Sequence, residues 1–191
     1  MNAELKEFCD MIRKRSEENR RAILCFRQHI DVLSPAVSIL RQELDSMIRV
    51  IYLLSIRDFA ERNRLIHSTL TGKKWKKTNA KSKSQDITDK DMVDLAQNLQ
   101  GWTRSVYKFG CSFIHLSDFH NHFAQNPFSN LPAAEKTAII THMRNYHGGP
   151  PTENPTIEQL SIYLPSIFEK ISSNLECYLG QLERAEILEE D

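Results

Sequence analysis

The stretch PAVSILRQELDSMIRVIYLLSIRDFAERN, Pro35 to Asn63, decides the fold class. Val37, Leu40, Leu44, Met47, Ile51 and Leu54 recur every three or four residues and form one apolar stripe, which Ile48, Tyr52 and Ile56 widen. A half-buried strand would alternate apolar and polar residues at period two, and this stretch does not. Ser34 and Pro35 mark its start. Ser caps helices well, and Pro is tolerated at the first helical position because its missing N–H would have had no partner there. The spacing predicts one central core helix that runs on to about Leu70, before Thr71-Gly72.

Working outward, residues 3–32 read as a helix, with Leu5, Phe8, Met11 and Ile12 on one face and Ile23, Phe26 and Ile30 continuing it. Its middle, RKRSEENRR, is wholly polar and reads as solvent-facing or frayed. Thr88 with Asp91 three residues on has the form of a capping box, so a helix from Asp89 to about Gln100 follows. Gly101 then interrupts, and Trp102, Val106, Phe109, Phe113 and Leu116 share a face of a helix reaching to about Phe123. AQNPFSNLP is a loop. Pro132 opens a helix to about residue 146 with Ile139, Ile140 and Met143 inward, and HGGPPTENP ends it. Thr156 caps a short helix from Ile157 to Leu164, and Ile167, Ile171, Leu175, Tyr178 and Leu182 recur along a last helix, about 166–187. The expectation is an all-α bundle of five to seven helices in a single domain, 1–191, with a mobile basic loop at about 71–86 and a C-terminal helical extension at about 156–190.

Composition agrees. The chain has 191 residues with 6 Gly and 7 Pro, and Gly falls well short of its usual ~7%. Sandwiches and barrels need more turns than that. No apolar run approaches the ~20 residues that span a bilayer, and MNAELKEFCDMIRKR is too charged for a signal peptide. The expected setting is cytoplasmic, with no membrane contact. Cys9, Cys25, Cys111 and Cys177 are far apart with no CxxC pair, and read as small buried apolar groups.

Net charge is zero but unevenly spread. Between Arg62 and Gln85 there are eight Lys or Arg and no acid, then Asp86, Asp89, Asp91 and Asp94 follow. Lys73, Lys74, Lys76 and Lys77 could track phosphates, and Trp75 among them could stack on a base. The plain alternative is a solvated connector, because Lys, Ser and Asn without apolar periodicity cannot pack. The acidic C-terminus, Glu183 to Asp191, reads as a solvated helix end.

Two constellations could carry chemistry. His115, Asp118 and His122 lie at i, i+3, i+7 and would project from one helical stripe. Three ligands over two turns converge on a metal only with help from another helix, and His142 and His147, five apart, do not face one point on a regular helix. No metal and no cofactor are expected. The second constellation is ERNRLIH, where Arg62 and Asn63 precede His67. A His can move the 2′-OH proton of RNA and an Arg can hold the phosphate, so cleavage would need no metal and would leave a cyclic phosphate. An exposed helix end whose cations suit the dipole explains the same residues without chemistry.

Arg62, Asn63 and His67 match the Arg-Asn, four-to-six-residue, His hallmark of the HEPN superfamily, small all-helical bacterial proteins that include toxin, defence and RNA-processing ribonucleases. YKFGCSFIHLS resembles a second helix of such families, here with Tyr107, Ser112 and His115, and Arg41 and Glu43 before IRVIYLL resemble the first core helix. The family's motif lies late in the bundle, which suits His115. There the place five residues earlier is Gly110, and the nearest cation is Lys108. The resemblance spans about residues 1–125. It implies a metal-independent endoribonuclease in toxin or anti-phage defence, with catalytic residues drawn from Arg62, Asn63, His67, Lys108 and His115, RNA as substrate, and a homodimer that pairs two motifs in one cleft. The competing expectation is a non-catalytic helical interaction subunit of a larger prokaryotic assembly, docking a protein partner from a neighbouring gene through the basic loop and acidic tail.

Overall fold

In a computed structural model the described residues are 2–26, 33–78, 83–114, 121 and 124–188. They are predominantly helical. The elements are α1 (Ala3–Phe26), α2 (Leu33–Ser55), α3 (Phe59–Leu70), β1 (Lys76–Thr78), β2 (Ser84–Asp86), α4 (Asp89–Gln100), α5 (Thr103–Ile114), a 3₁₀ turn (Pro127–Asn130), α6 (Ala133–His147), α7 (Ile157–Ser161) and α8 (Leu164–Glu183). No helix among the described residues is long and apolar enough to cross a membrane. The chain divides into two compact units of discontinuous segments, to which α1, α2 and α8 each contribute.

The first unit comprises the described residues of Met1–Glu17, Asp45–Gly101 and Ser172–Asp191. The second half of α2 is apolar almost all round, and Met47, Ile48, Val50, Ile51, Leu53 and Leu54 are fully buried. That is the signature of a helix enclosed by others. Burying each such side chain stabilises the fold by about 1.5–3 kcal/mol before entropy is counted. Phe8 and Ile12 of α1, Leu65 and Ile66 of α3, Met92 and Val93 of α4, and Leu175, Leu179 and Leu182 of α8 are buried with them. The polar middle of α1 is not frayed. Arg13 donates to both Glu176 and Glu183 of α8, at 2.8 and 2.7 Å, and Ser16 meets Ser172 at 3.0 Å.

The expected single helix from Pro35 to Leu70 is two. Its ladder stops at Ser55, and Asp58 restarts it by accepting a hydrogen bond from the Ala60 N–H at 2.8 Å. Apolar periodicity runs straight through this corner, which is why the sequence does not announce it.

Where the sequence predicts an irregular basic loop, β1 and β2 form a short antiparallel ladder, with Lys76 opposite Asp86, Lys77 opposite Gln85 and Thr78 opposite Ser84. Its footing is Trp75, only 5% exposed, whose indole N–H donates to Thr69 Oγ1 at 2.8 Å. The Trp75 carbonyl accepts from the Ile87 N–H at 3.0 Å and closes the base of the ladder. α4 then begins at the expected capping box: the Thr88 hydroxyl accepts from the Asp91 N–H, and the Asp91 carboxylate accepts from the Thr88 N–H at 2.8 Å. Gly101 ends α4 in the left-handed conformation, φ 70°.

The second unit comprises Glu18–Leu44 and Trp102–Ile171. Val37, Leu40 and Leu44 of α2 are buried as the stripe predicts, as are Ile140 and Met143 of α6, while Ile139 is half-buried. Phe128, in the loop AQNPFSNLP, is fully buried, held by the 3₁₀ turn that Asn126 caps. Thr156 and Gln159 cap α7 reciprocally, and Phe168 and Ile171 of α8 are buried. Asn19, from the polar run of α1, is buried and donates to the fully buried Glu43 at 3.0 Å.

The capping box carries a pH signature. Hydrogen bonds from Thr88, then Lys77 at 3.0 Å, pull the Asp91 carboxyl down from 3.8 to about 2. A group whose folded value is depressed contributes stability above its unfolded value and loses it as pH falls through the folded one. Thermal unfolding of the wild type should therefore lose part of its stability between about pH 4 and pH 2, and Asp91→Asn should flatten that segment of the melting-temperature profile.

Candidate functional site

Arg62 and His67 sit five residues apart on α3, so their side chains leave the helix about 140° apart. Arg62 points inward and is 3% exposed. Its guanidinium donates to the Leu54 and Ile56 carbonyls at 3.2 and 2.9 Å and to the Glu186 carbonyl at 3.0 Å. It also lies over the Phe59 ring, 4.9 Å from its centre. Burial draws its pKa down from the ordinary arginine value. Among the described residues no carboxylate pairs with it and its Nε has no hydrogen-bond partner. This is an arginine spent on backbone carbonyls, with no open face toward a phosphate. His67 and Asn63 are exposed, and His67 Nδ1 meets Glu4 Oε1 at 2.8 Å. The structure does not bring Arg62 and His67 to one point, and an acid from α1 occupies the imidazole.

The basic segment splits by role. Trp75 is not a stacking platform: its ring is packed 6.0 Å from Tyr52, and the Arg49 guanidinium lies 5.4 Å from its centre. Lys77 turns to Asp91. Lys73, Lys74 and Lys76 are exposed, and the acid nearest Lys74 is Asp86 at 3.8 Å. Arg64, which the sequence reading passed over, bonds to Glu61 and to the Lys76 carbonyl, tying β1 to α3.

In the second unit the residues singled out on α2 and α5 meet. The Arg41 guanidinium lies 3.8 Å from the centre of the Tyr107 ring, and Arg41 is 7% exposed. Gly110 sits directly against it: a Cβ there would lie 2.9 Å from Arg41 Cβ and 3.0 Å from Arg41 Cδ. Glu43 and Asn19 form a buried polar pair that composition alone does not reveal. Lys108 is on the exposed side of α5, 3.9 Å from Glu135. His115, Asp118, His122 and the side chain of Ser112 lie outside the described residues.

His142 and His147 come closer than their spacing implies, with ring centres 6.0 Å apart. The His142 ring lies 4.6 Å from Tyr146 and 6.0 Å from Trp102, and His147 Nδ1 meets Ser166 Oγ at 3.0 Å. Burial draws both below the ordinary histidine value, followed at His142 by the charge of His147 and then Lys170, and at His147 by Lys170. Among the described residues no three His, Cys, Asp or Glu side chains gather as metal ligands. The cysteines are free but not uniformly buried. Cys25 and Cys177 are exposed, Cys111 is half-buried, and Cys9 is fully buried with its thiol pushed up to about 12 by burial.

Two pairs of variants separate structural from surface roles. Arg62→Ala would take a donor from three carbonyls, of which Leu54 keeps the Leu188 N–H, and should cost about 3 kcal/mol in chemical denaturation, whereas His67→Ala should cost well under 1 kcal/mol because its partner is exposed. Gly110→Ala should lower the melting temperature despite its better helix propensity, since overpacking costs about 1–3 kcal/mol. Gly180→Ala in α8 meets only the flexible end of Arg184, at 3.3 Å, and should raise it, by the ~1 kcal/mol that Ala gains over Gly in a helix.

Compared with protein-family models, curated proteins and solved structures, the chain matches none.

Proposed function

We propose that the protein is a non-catalytic helical interaction subunit, with the lysine face of the β1–β2 hairpin as its docking surface. The observation that carries this reading is Arg62. A ribonuclease of the Arg/His type needs a cation free to hold the scissile phosphate. Here the guanidinium is buried and engaged by the carbonyls of Leu54, Ile56 and Glu186. His67 without it is an exposed imidazole paired to Glu4.

A second reading keeps the HEPN-type nuclease and moves it to the Tyr107–His115 segment. The packing of Arg41 against Gly110 favours it. The position that lacks the motif's arginine is filled by an arginine side chain from α2, beside Tyr107. In that reading Arg41, buried against Tyr107 here, turns outward to supply the cation and His115 supplies the acid or base, in the homodimer the resemblance implies.

Incubating the full chain with end-labelled RNA in chelator tests both. No cleavage is the expected result. Cleavage that leaves a cyclic phosphate and falls ~10²–10⁴-fold in His67→Ala would overturn the proposal and restore the first Arg/His pair. The same loss in His115→Ala and in Arg41→Lys, with His67→Ala active and all variants folded, would establish the second reading instead.

A further inference from the structure

The hairpin carries more positive charge than its own contacts use. Three nearby carboxylates have other claims: Glu61 on Arg64 at 2.6 Å, Asp91 on Thr88 and Lys77, and Asp89 on Arg49 at 3.3 Å. Asp86 approaches Lys74 only at 3.8 Å, with the lysine side chain 83% exposed. An ion pair that long and that wet contributes little. Among the described residues neither Lys73 nor Lys76 has an acid within 4.0 Å.

These three lysines stand on a fixed support. The Lys73 N–H donates to the Ser68 carbonyl at 2.7 Å, and Trp75 is buried beneath with its N–H on Thr69. Arg64 bonds the Lys76 carbonyl from α3. Side chains two apart on an extended segment emerge on one side, so Lys74 and Lys76 share the outer side while Trp75 between them points in.

We infer that Lys73, Lys74 and Lys76 bind the phosphodiester backbone of a nucleic acid without reading its bases. This names the occupant of the docking surface and rests on that reading of the hairpin. Two features choose nucleic acid over an acidic protein. Among the described residues the paired strands, Lys76–Thr78 and Ser84–Asp86, carry no aromatic or aliphatic anchor and Trp75 at their base is buried, whereas protein interfaces depend on such anchors at their centre and deplete lysine there. Three exposed lysines within a four-residue stretch instead suit a regularly charged polymer, where each contact releases counterions. With no exposed ring, the bases have nothing to stack on.

The test is fluorescence anisotropy of the full chain with a labelled 2′-O-methyl oligouridylate, which cannot be cleaved by attack of its own 2′-oxygen. Binding is therefore read separately from any nuclease activity, and cleavage of ordinary RNA would sink the non-catalytic reading while leaving this one standing. Three lysine–phosphate contacts give a log–log salt slope of about −2, so affinity should fall about 15–20-fold between roughly 50 and 200 mM salt. Each single Lys→Gln change should reduce the slope by about 0.7. The triple variant Lys73→Gln/Lys74→Gln/Lys76→Gln should lose binding at least tenfold with an unchanged melting temperature, since all three side chains are exposed. A flat salt profile, or wild-type affinity in the folded triple variant, would overturn the inference. So would polyglutamate competing as well as the oligonucleotide, which would point to an acidic protein partner. Tryptophan emission should not change on saturation; a quench that persists in Trp102→Phe would put a base on Trp75 and overturn the backbone-only mode.

Discussion

The corner between α2 and α3 depends on one guanidinium. A helix end leaves its last carbonyls without partners, and a buried carbonyl without a donor is costly. α2 ends inside the apolar core of its unit, where Leu53 and Leu54 are fully buried. Arg62, one turn into the next helix, reaches back and donates to the Leu54 and Ile56 carbonyls, while its other terminal nitrogen takes the Glu186 carbonyl. The bond to the Leu54 carbonyl is buried, and those to Ile56 and Glu186 are partly so. The Leu188 N–H adds a second donor to Leu54. Only a planar, multi-donor fork serves several carbonyls at once, so lysine is no equivalent here. The bend, the docking of residues 186–188 and the burial of Arg62 are one arrangement.

That arrangement sets what the rest of α3 can do. With Arg62 turned in, the helical period turns Arg64 and His67 outward. Arg64 anchors the hairpin through the Lys76 carbonyl, and His67 reaches Glu4 of α1. The end of α3 supplies Thr69 for the Trp75 indole and Ser68 for the Lys73 N–H. These bonds tie the end of α3 to the short ladder, in which Lys76 faces solvent and Lys77 turns to Asp91.

Much of the fold was legible where the deciding physics is local. The capping boxes at Thr88 and Thr156 start α4 and α7 where expected, because a cap is a hydrogen bond between residues three apart. The stripe from Val37 to Leu54 is buried because period alone fixes one face of a helix. What was illegible is long-range. The corner at residues 56–58 depends on Arg62 and on a carbonyl at position 186. The order of the basic hairpin depends on a single tryptophan finding a pocket beside Tyr52, which no lysine pattern signals. The polar run of α1 packs because Asn19 and Arg13 find acids 24 and 163 residues away. Of the residues weighed for chemistry, the helix positions were readable, but the direction each side chain takes was not.

Gly110 shows the same limit in a motif. Along α5 alone, a glycine five residues before His115 looks like a missing arginine. In three dimensions a side chain there would collide with Arg41, because a Cβ would come within 2.9 Å of its own. The two helices can approach this closely only if one of the two positions is bare. The space beside Gly110 is filled by the aliphatic part of the Arg41 side chain from α2, whose guanidinium lies over Tyr107. Spacing along one helix therefore does not reveal that a side chain from another helix already fills the space beside Gly110.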